Sequence, residues 1–168
     1  MSFIIENAGA TVYAPGWFLM NNEACTRETK EIAQNHANVK TVGDGKYVPM
    51  GSIFPTNDGS ATGIIYEDVD VTSGAMPGSV VTAGTVYENR LAKTGVDYEA
   101  VTPAGTENPS AEGWYEKDGS VYTKTTDTSV GAKTYYEQVD VTIASAAKSA
   151  LQALGFKFVN EASVTRPY

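Results

Sequence analysis

The sequence predicts a mainly β protein: a small barrel- or sandwich-like core with one C-terminal α-helix, an inserted β-hairpin module and an extended N-terminal arm. Three observations carry this. Runs rich in Val, Thr and Tyr recur along the chain and are cut by Gly, Pro, Asn and Asp, the grammar of short strands and turns. Asp-Gly pairs stand between such runs at two places, a hairpin signal. Only residues 143–154 show a sustained helical period.

The elements follow in order. Residues 1–20 are apolar and small, with Pro15-Gly16 turning the chain before Trp17-Phe18-Leu19-Met20. An apolar segment near a terminus packs on its own domain or on a neighbouring copy. Residues 21–38 are polar; Thr26–Ala37 fits a short helix with Ile32 on its apolar face, and fits an ordered loop or edge strand equally well. Residues 1–38 are therefore read as arm and linker.

Residues 39–92 form the clearest β region. Asp44-Gly45 separates Val39–Val42 from Tyr47–Val48. Pro49 and Pro55 confine their segments to edges or turns, and Asn57-Asp58-Gly59-Ser60 is a turn by composition. Gly63–Thr72 reads as one long strand, with Val69 and Val71 facing one way and Asp68 and Asp70 the other. Ser73–Gly78 connects it to a strand over Ser79–Tyr87.

Residues 93–139 read as a separate insertion. Pro103–Ser110 is loop-like, and Asp118-Gly119 forms a hairpin between Gly113–Lys117 and Ser120–Lys124. Lys133–Val141 is a further strand. Tyr98, Trp114, Tyr115, Tyr122, Tyr135 and Tyr136 are dense enough to supply a miniature core. Residues 140–168 then rejoin the β core. Ile143, Ala147, Ala150, Leu151 and Leu154 share one helix face, with Thr142 as N-cap and Gly155 as C′ residue. Phe156-Lys157-Phe158-Val159 alternates as a strand. Tyr66–Thr72 recurs as Tyr136–Thr142 with one difference, which reads as two similar strands rather than a duplicated domain.

Charge and chemistry narrow the function. The net charge is −8, and Lys and Arg never cluster; partners that bind through phosphates are poorly served, so neither nucleic acid nor an anionic membrane is expected. The start, Met1–Glu6, has no basic or long apolar region, so the chain is expected to be made and kept in a cytoplasm or to leave it by lysis or assembly. His36 is the only histidine and Cys25 the only cysteine. A nucleophile–base system would run through that pair, and no GxSxG elbow exists. His36 reads as a surface-loop residue. One His and one Cys cannot close a zinc site. Asp68–Thr72 begins like a calcium loop but carries Ser73 at the turn glycine and Ser79 at the bidentate glutamate. Gly43-Asp44-Gly45-Lys46 lacks P-loop spacing. No catalytic residue, cofactor or metal is expected, and the chain reads as a non-enzyme.

The stretch Lys46–Thr72, ending in Gly63-Ile64-Ile65-Tyr66-Glu67-Asp68-Val69-Asp70-Val71-Thr72, resembles the core of tailed-bacteriophage head decoration (capsid cement) proteins and related head-fibre base domains. Val80–Val86, Tyr87–Leu91 and the Ala/Leu helix with Gly155-Phe156-Lys157-Phe158-Val159 are similar too. The likeness covers about half the chain and leaves out the 93–139 insertion. It implies a structural virion protein that binds the major capsid protein on the capsid exterior and stabilises the shell, commonly as a homotrimer. The apolar arm, through Phe3, Ile4, Ile5, Trp17 and Phe18, is the expected capsid contact. The alternative is a head-fibre base or adhesin-like module whose insertion binds a host glycan or receptor; Trp114, Tyr115 and Tyr122 are then its expected surface.

Overall fold

Two of the long β runs of the sequence, Gly63–Thr72 and Ser79–Tyr87, are broken where the chain passes from one sheet to another. The structure, a computed structural model, describes residues 14–160. It is mainly β with two helices, and no sheet among the described residues closes into a barrel. The chain divides into two compact units: residues 1–94 with 142–168, and residues 95–141.

The first unit contains, in chain order, β1 (Thr26–Ile32), β2 (Lys40–Val42), β3 (Gly45–Val48), β4 (Ile53–Phe54), β5 (Gly63–Ile65), β6 (Val69–Asp70), β7 (Met76–Ala83) and β8 (Thr85–Tyr87). The second contains β9 (Gly95–Val101), α1 (Pro109–Glu112), β10 (Tyr115–Asp118), β11 (Val121–Lys124) and β12 (Tyr135–Val141). The chain then re-enters the first unit with α2 (Ser145–Ala153) and β13 (Lys157–Val159).

The central sheet of the first unit has the order β1-β7-β5-β4 and is antiparallel throughout. Both of its faces are covered. The opposed pair Ile64 and Val81 joins a core with Phe18, Leu19, Ile53, Ala61, Val86, Leu91, Ala147, Leu151 and Phe156. The next pair, Ile65 and Val80, points the other way into a core with Ile32, Val48, Val69 and Val71. Consecutive apolar residues at Ile64-Ile65 and Val80-Val81 are what a strand buried on both faces requires.

Of the alternatives open for Thr26–Ala37, the structure has the edge strand: Thr26–Ile32 pairs with β7 from Thr26↔Ala83 to Ile32↔Met76, so this part of the segment is more than a linker. Two expectations change. Gly63–Thr72 is not one strand. It leaves the central sheet after Ile65 and enters the three-stranded sheet β2-β3-β6 at Val69. Within it the expected alternation holds, since Val69 and Val71 are buried and Asp68 and Asp70 are half-buried. The run Ser79–Tyr87 likewise begins earlier, at Met76, and splits at Gly84, where β8 departs to pair with β13.

That β8–β13 pair is parallel. Parallel strands need a long crossover between them, and α2 lies on it. The helix buries Ala147 and Leu151, as its period predicts, while Leu154 at its end is 52% exposed. Its C-terminus is closed by Gly155 N–H to the Gln152 carbonyl (3.0 Å) and Phe156 N–H to the Leu151 carbonyl (3.1 Å), the paired bonds of a Schellman motif. Its start differs from expectation. Ala144, not Thr142, is the N-cap and offers no side-chain bond. Asn57 compensates from the 57–60 turn: its Oδ1 accepts the Ala144 N–H at 2.8 Å, the donor a capping-box glutamate would take. The same side chain donates Nδ2–H to Thr94 Oγ1 at 3.2 Å. Asn57 thus holds both ends of the chain where it departs for, and returns from, residues 95–141.

The second unit is a four-stranded antiparallel sheet of order β11-β10-β12-β9. Its first and last residues, Gly95 and Val141, are ladder partners. Two features go beyond the sequence expectation: strand β9, and the short helix that the loop-like Asn108-Pro109-Ser110 opens. Asn108 is its N-cap, with Oδ1 accepting from Ala111 N–H (3.2 Å), Pro109 lies in the first turn and Gly113 ends it in the left-handed conformation.

Both hairpins are found, one residue away from where the Asp-Gly pairs place them. The loops are Gly43-Asp44, between Val42↔Gly45, and Gly119-Ser120, between Asp118↔Val121. In each, glycine takes the first loop position, with φ of 57° and 59°. That positive φ is what a type I′ turn demands of its first residue.

Candidate functional site

Three of the sequence-predicted site residues, Phe18, Trp17 and Trp114, lie in places that rule out, or limit, a role as free contact surface. Phe3, Ile4 and Ile5 fall outside the described residues. Phe18 is 0% exposed and belongs to the core that contains α2. Its carbonyl accepts Tyr87 N–H at 2.8 Å, and Leu19 bridges Val86. The 16–20 segment is therefore part of the fold, not an arm laid on a neighbour. Its apolar residues lacked a strand pattern because they contribute a single bridge and then bury side chains. Trp17 is half-buried. The Arg90 guanidinium lies between its ring (4.6 Å) and that of Tyr87 (4.4 Å), and Nη1–H donates to the Trp17 carbonyl at 3.1 Å.

Trp114, a surface residue only in the adhesin-like alternative, is 8% exposed and packs on the fully buried Tyr135 with ring centroids 5.8 Å apart, in keeping with the miniature core read from the aromatic density. Register explains the division. Residues directly opposed in a sheet share a face, so Tyr135 and Trp114 occupy one face, and Tyr98, Tyr115, Tyr122 and Tyr136 the other. The four tyrosines touch one another. Tyr98 and Tyr122 stack at 4.0 Å and 6°, and Tyr115 and Tyr136 meet them edge-on at 4.9 and 5.2 Å. Tyr98 is on β9 and Tyr122 on β11, the two outer strands. With strands spaced about 4.8 Å apart, two inner strands lie between them, so the two side chains reach across those strands to meet. Lys117 Nζ lies 5.2 Å from the Tyr122 ring, and Lys124 Nζ 5.9 Å from that of Tyr115. Tyr115 and Tyr122, both half-buried, thus belong to the miniature core that the aromatic density predicts.

A polar clasp borders this unit. Lys133 Nζ contacts Glu116 Oε1 at 2.9 Å and Asp127 Oδ2 at 2.8 Å. Tyr135 donates its hydroxyl to Asp127 Oδ2 (2.6 Å) and accepts Gly131 N–H (3.0 Å), and Thr125 donates to Glu116. The Lys133 ammonium and the Tyr135 hydroxyl hold Asp127 below the usual carboxylate range; the Thr125 hydroxyl, then Lys133, do the same for Glu116. The two carboxylates raise the Lys133 ammonium in turn. The sign follows: carboxylates depressed in the folded state stabilise it above their ordinary pKa of about 4, and that contribution is lost as pH falls through the lowered values. Acid is expected to loosen residues 95–141 below about pH 4, with a shallower dependence in Lys133→Met, read by amide exchange of β10 and β12. The groups are partly exposed, so the effect is small and salt-sensitive. Equal acid sensitivity in both proteins would remove the clasp from the account.

His36 is no surface-loop residue: it is 9% exposed. Cys25 is half-buried, with Sγ 3.1 Å from the Asn22 carbonyl, and is free. Asp68 and Asp70 are spent on backbone donors, Met50 N–H at 2.7 Å and Thr72 N–H at 2.9 Å. They line an open depression of about 310 Å³ with Glu67, Ser73, Met76 and Pro77. Among the described residues no group of three or more His, Cys, Asp or Glu side chains is arranged to hold a metal ion, and no helix is long and apolar enough to cross a membrane. No protein-family model, curated protein or solved structure matches the chain.

Proposed function

We propose that the chain is a structural virion protein that binds the major capsid protein on the outside of an assembled phage head, as a homotrimer, and stabilises the shell. One observation carries the reading. The segments on which the resemblance rests, Lys46–Leu91 and 142–159, close on each other into one unit and supply most of its two apolar cores. The insertion takes no part in either core. A folded platform of this kind suits a repeated lattice, where many identical sites and trimerisation turn modest contacts into high avidity.

The test is co-sedimentation with isolated capsids followed by imaging. Added density at three-fold positions is the expected result, and protein left in the supernatant would overturn the proposal. The arm is tested by removing residues 2–13 only. Residues 14–20 must stay, because Phe18 and Leu19 are core.

A second reading is a head-fibre base or adhesin-like module whose insertion binds a host glycan or receptor. It is favoured by the self-contained sheet of residues 95–141, whose ends are ladder partners. Replacing 95–141 by a short Gly-Ser bridge between Thr94 and Thr142 is expected to leave a folded first unit that still binds capsids. Capsid binding retained with host adhesion lost supports the second reading. Loss of capsid binding from a folded product places the capsid contact in the insertion.

A further inference from the structure

The corner between β1 and β2, residues 33–39, joins the central sheet to the β2-β3-β6 sheet, and its hydrogen bonds converge on one imidazole. His36 Nδ1 accepts the Asn38 N–H at 3.1 Å. Because Nδ1 must be bare to accept, the ring proton sits on Nε2, which donates to the Ile53 carbonyl at 3.0 Å. The corner is closed further by His36 N–H to the Ala33 carbonyl (3.1 Å) and Val39 N–H to the His36 carbonyl (3.0 Å). Beneath it Asn38, 4% exposed, donates Nδ2–H to Ser52 Oγ at 2.8 Å, and Ser52, 0% exposed, donates to the Pro49 carbonyl at 2.7 Å. Of these bonds, the one from Asn38 N–H to Nδ1 exists only while the imidazole is neutral. A second ring proton would set Nδ1–H against Asn38 N–H, donor to donor, in a site that water barely reaches.

We propose that His36 is an acid-sensitive latch on the 33–39 corner, closed when neutral and released on protonation. The groups bonded to the ring are uncharged: the Asn38 backbone amide and the Ile53 carbonyl. The charged side chains on the adjoining strands, Glu31 of β1 and Lys40 of β2, are exposed. On the 49–52 turn the neighbouring titratable group is Asp68, bound to Met50 N–H. Burial holds the imidazole below its ordinary value, partly opposed by the Ile53 carbonyl, and no charged side chain contributes. The unfolded chain therefore takes up the proton first. The stabilisation is complete above about pH 6.5, declines as pH falls below it, and is fully lost beneath the lowered folded value. This window lies above that of the Glu116–Lys133–Asp127 clasp, so the two acid responses separate.

The test is amide hydrogen exchange on the full chain at pH 7.5 and 5, corrected for intrinsic rates. Protection of the Asn38 and Val39 amides is expected to be lost in part at pH 5 while β5 and β7 amides hold. In His36→Asn, whose side-chain oxygen can still accept from the corner, that loss is expected to disappear. Should the variant not fold, an NMR titration of the wild-type ring decides. A neutral Nε2–H tautomer titrating below 6.5 supports the latch. A ring titrating at or above 6.5, or pH-independent protection at Asn38, overturns it.

Discussion

Phe18→Ala is expected to lower the unfolding free energy of the first unit by about 3–5 kcal/mol, the usual cost of emptying a phenylalanine site in a packed core. Phe18 is among the largest side chains with no exposure, and the core cluster it belongs to draws on the whole unit: Ile53 of β4, Ile64 of β5, Val81 of β7, Val86 of β8, and Ala147 and Leu151 of α2. A core assembled from two sheets and a helix has little freedom to collapse into a cavity. Trp17→Ala, next in sequence, is expected to cost far less, since Trp17 is half-buried and packs mainly on the Arg90 guanidinium. Urea denaturation of the pair checks this. A Phe18→Ala loss below about 1 kcal/mol would return the 16–20 segment to the status of a loose arm. The comparison bears on function too. Failure of Phe18→Ala to bind capsids would report the loss of the fold, whereas failure of folded Trp17→Ala would report a lost contact.

What the sequence reveals about this fold depends on how local the cause is. The alternation at Val69, Asp70 and Val71 is legible because burial on one face imposes it residue by residue. The α2 face is legible for the same reason, but its start is not, because the group that serves Ala144 N–H is Asn57, 87 residues away. Strand β1 carries almost no pattern. Only Ile32 of its seven residues is buried, so Thr26–Ile32 reads as polar chain until β7 supplies its partner. The hairpins show a subtler limit. The Asp-Gly pairs mark the right places, but the loop starts at whichever glycine can take the positive φ, Gly43 in one and Gly119 in the other. Aromatic density signals a miniature core but does not say which face of the sheet Trp114 occupies; register does. The latch at His36 was invisible because its acceptor, Ile53, is 17 residues off and its burial is a property of the assembled corner.

Trp114→Ala is expected to unfold residues 95–141 while leaving the rest of the chain folded. Small units have little stability to lose: at roughly 0.05–0.15 kcal/mol per residue, a unit of this size holds on the order of 2–7 kcal/mol. Removing a buried Trp costs about 3–5 kcal/mol, most or all of it. The loss is concentrated because Trp114 and Tyr135 are the unit's buried aromatic pair, and the four-tyrosine cluster on the opposite face is only half-buried. The first unit should not follow. Both of its cores are built without a residue from 95–141, and the Asn57 side chain holds Thr94 and Ala144 from within that unit. Limited proteolysis is expected to cut Trp114→Ala inside 95–141 and to spare β5, β7 and α2, with Trp114→Phe intermediate. One cooperative transition that took both units together would mean that their stabilities are coupled. A Trp114→Ala protein as resistant as the parent would mean that the tyrosine face alone sustains the sheet.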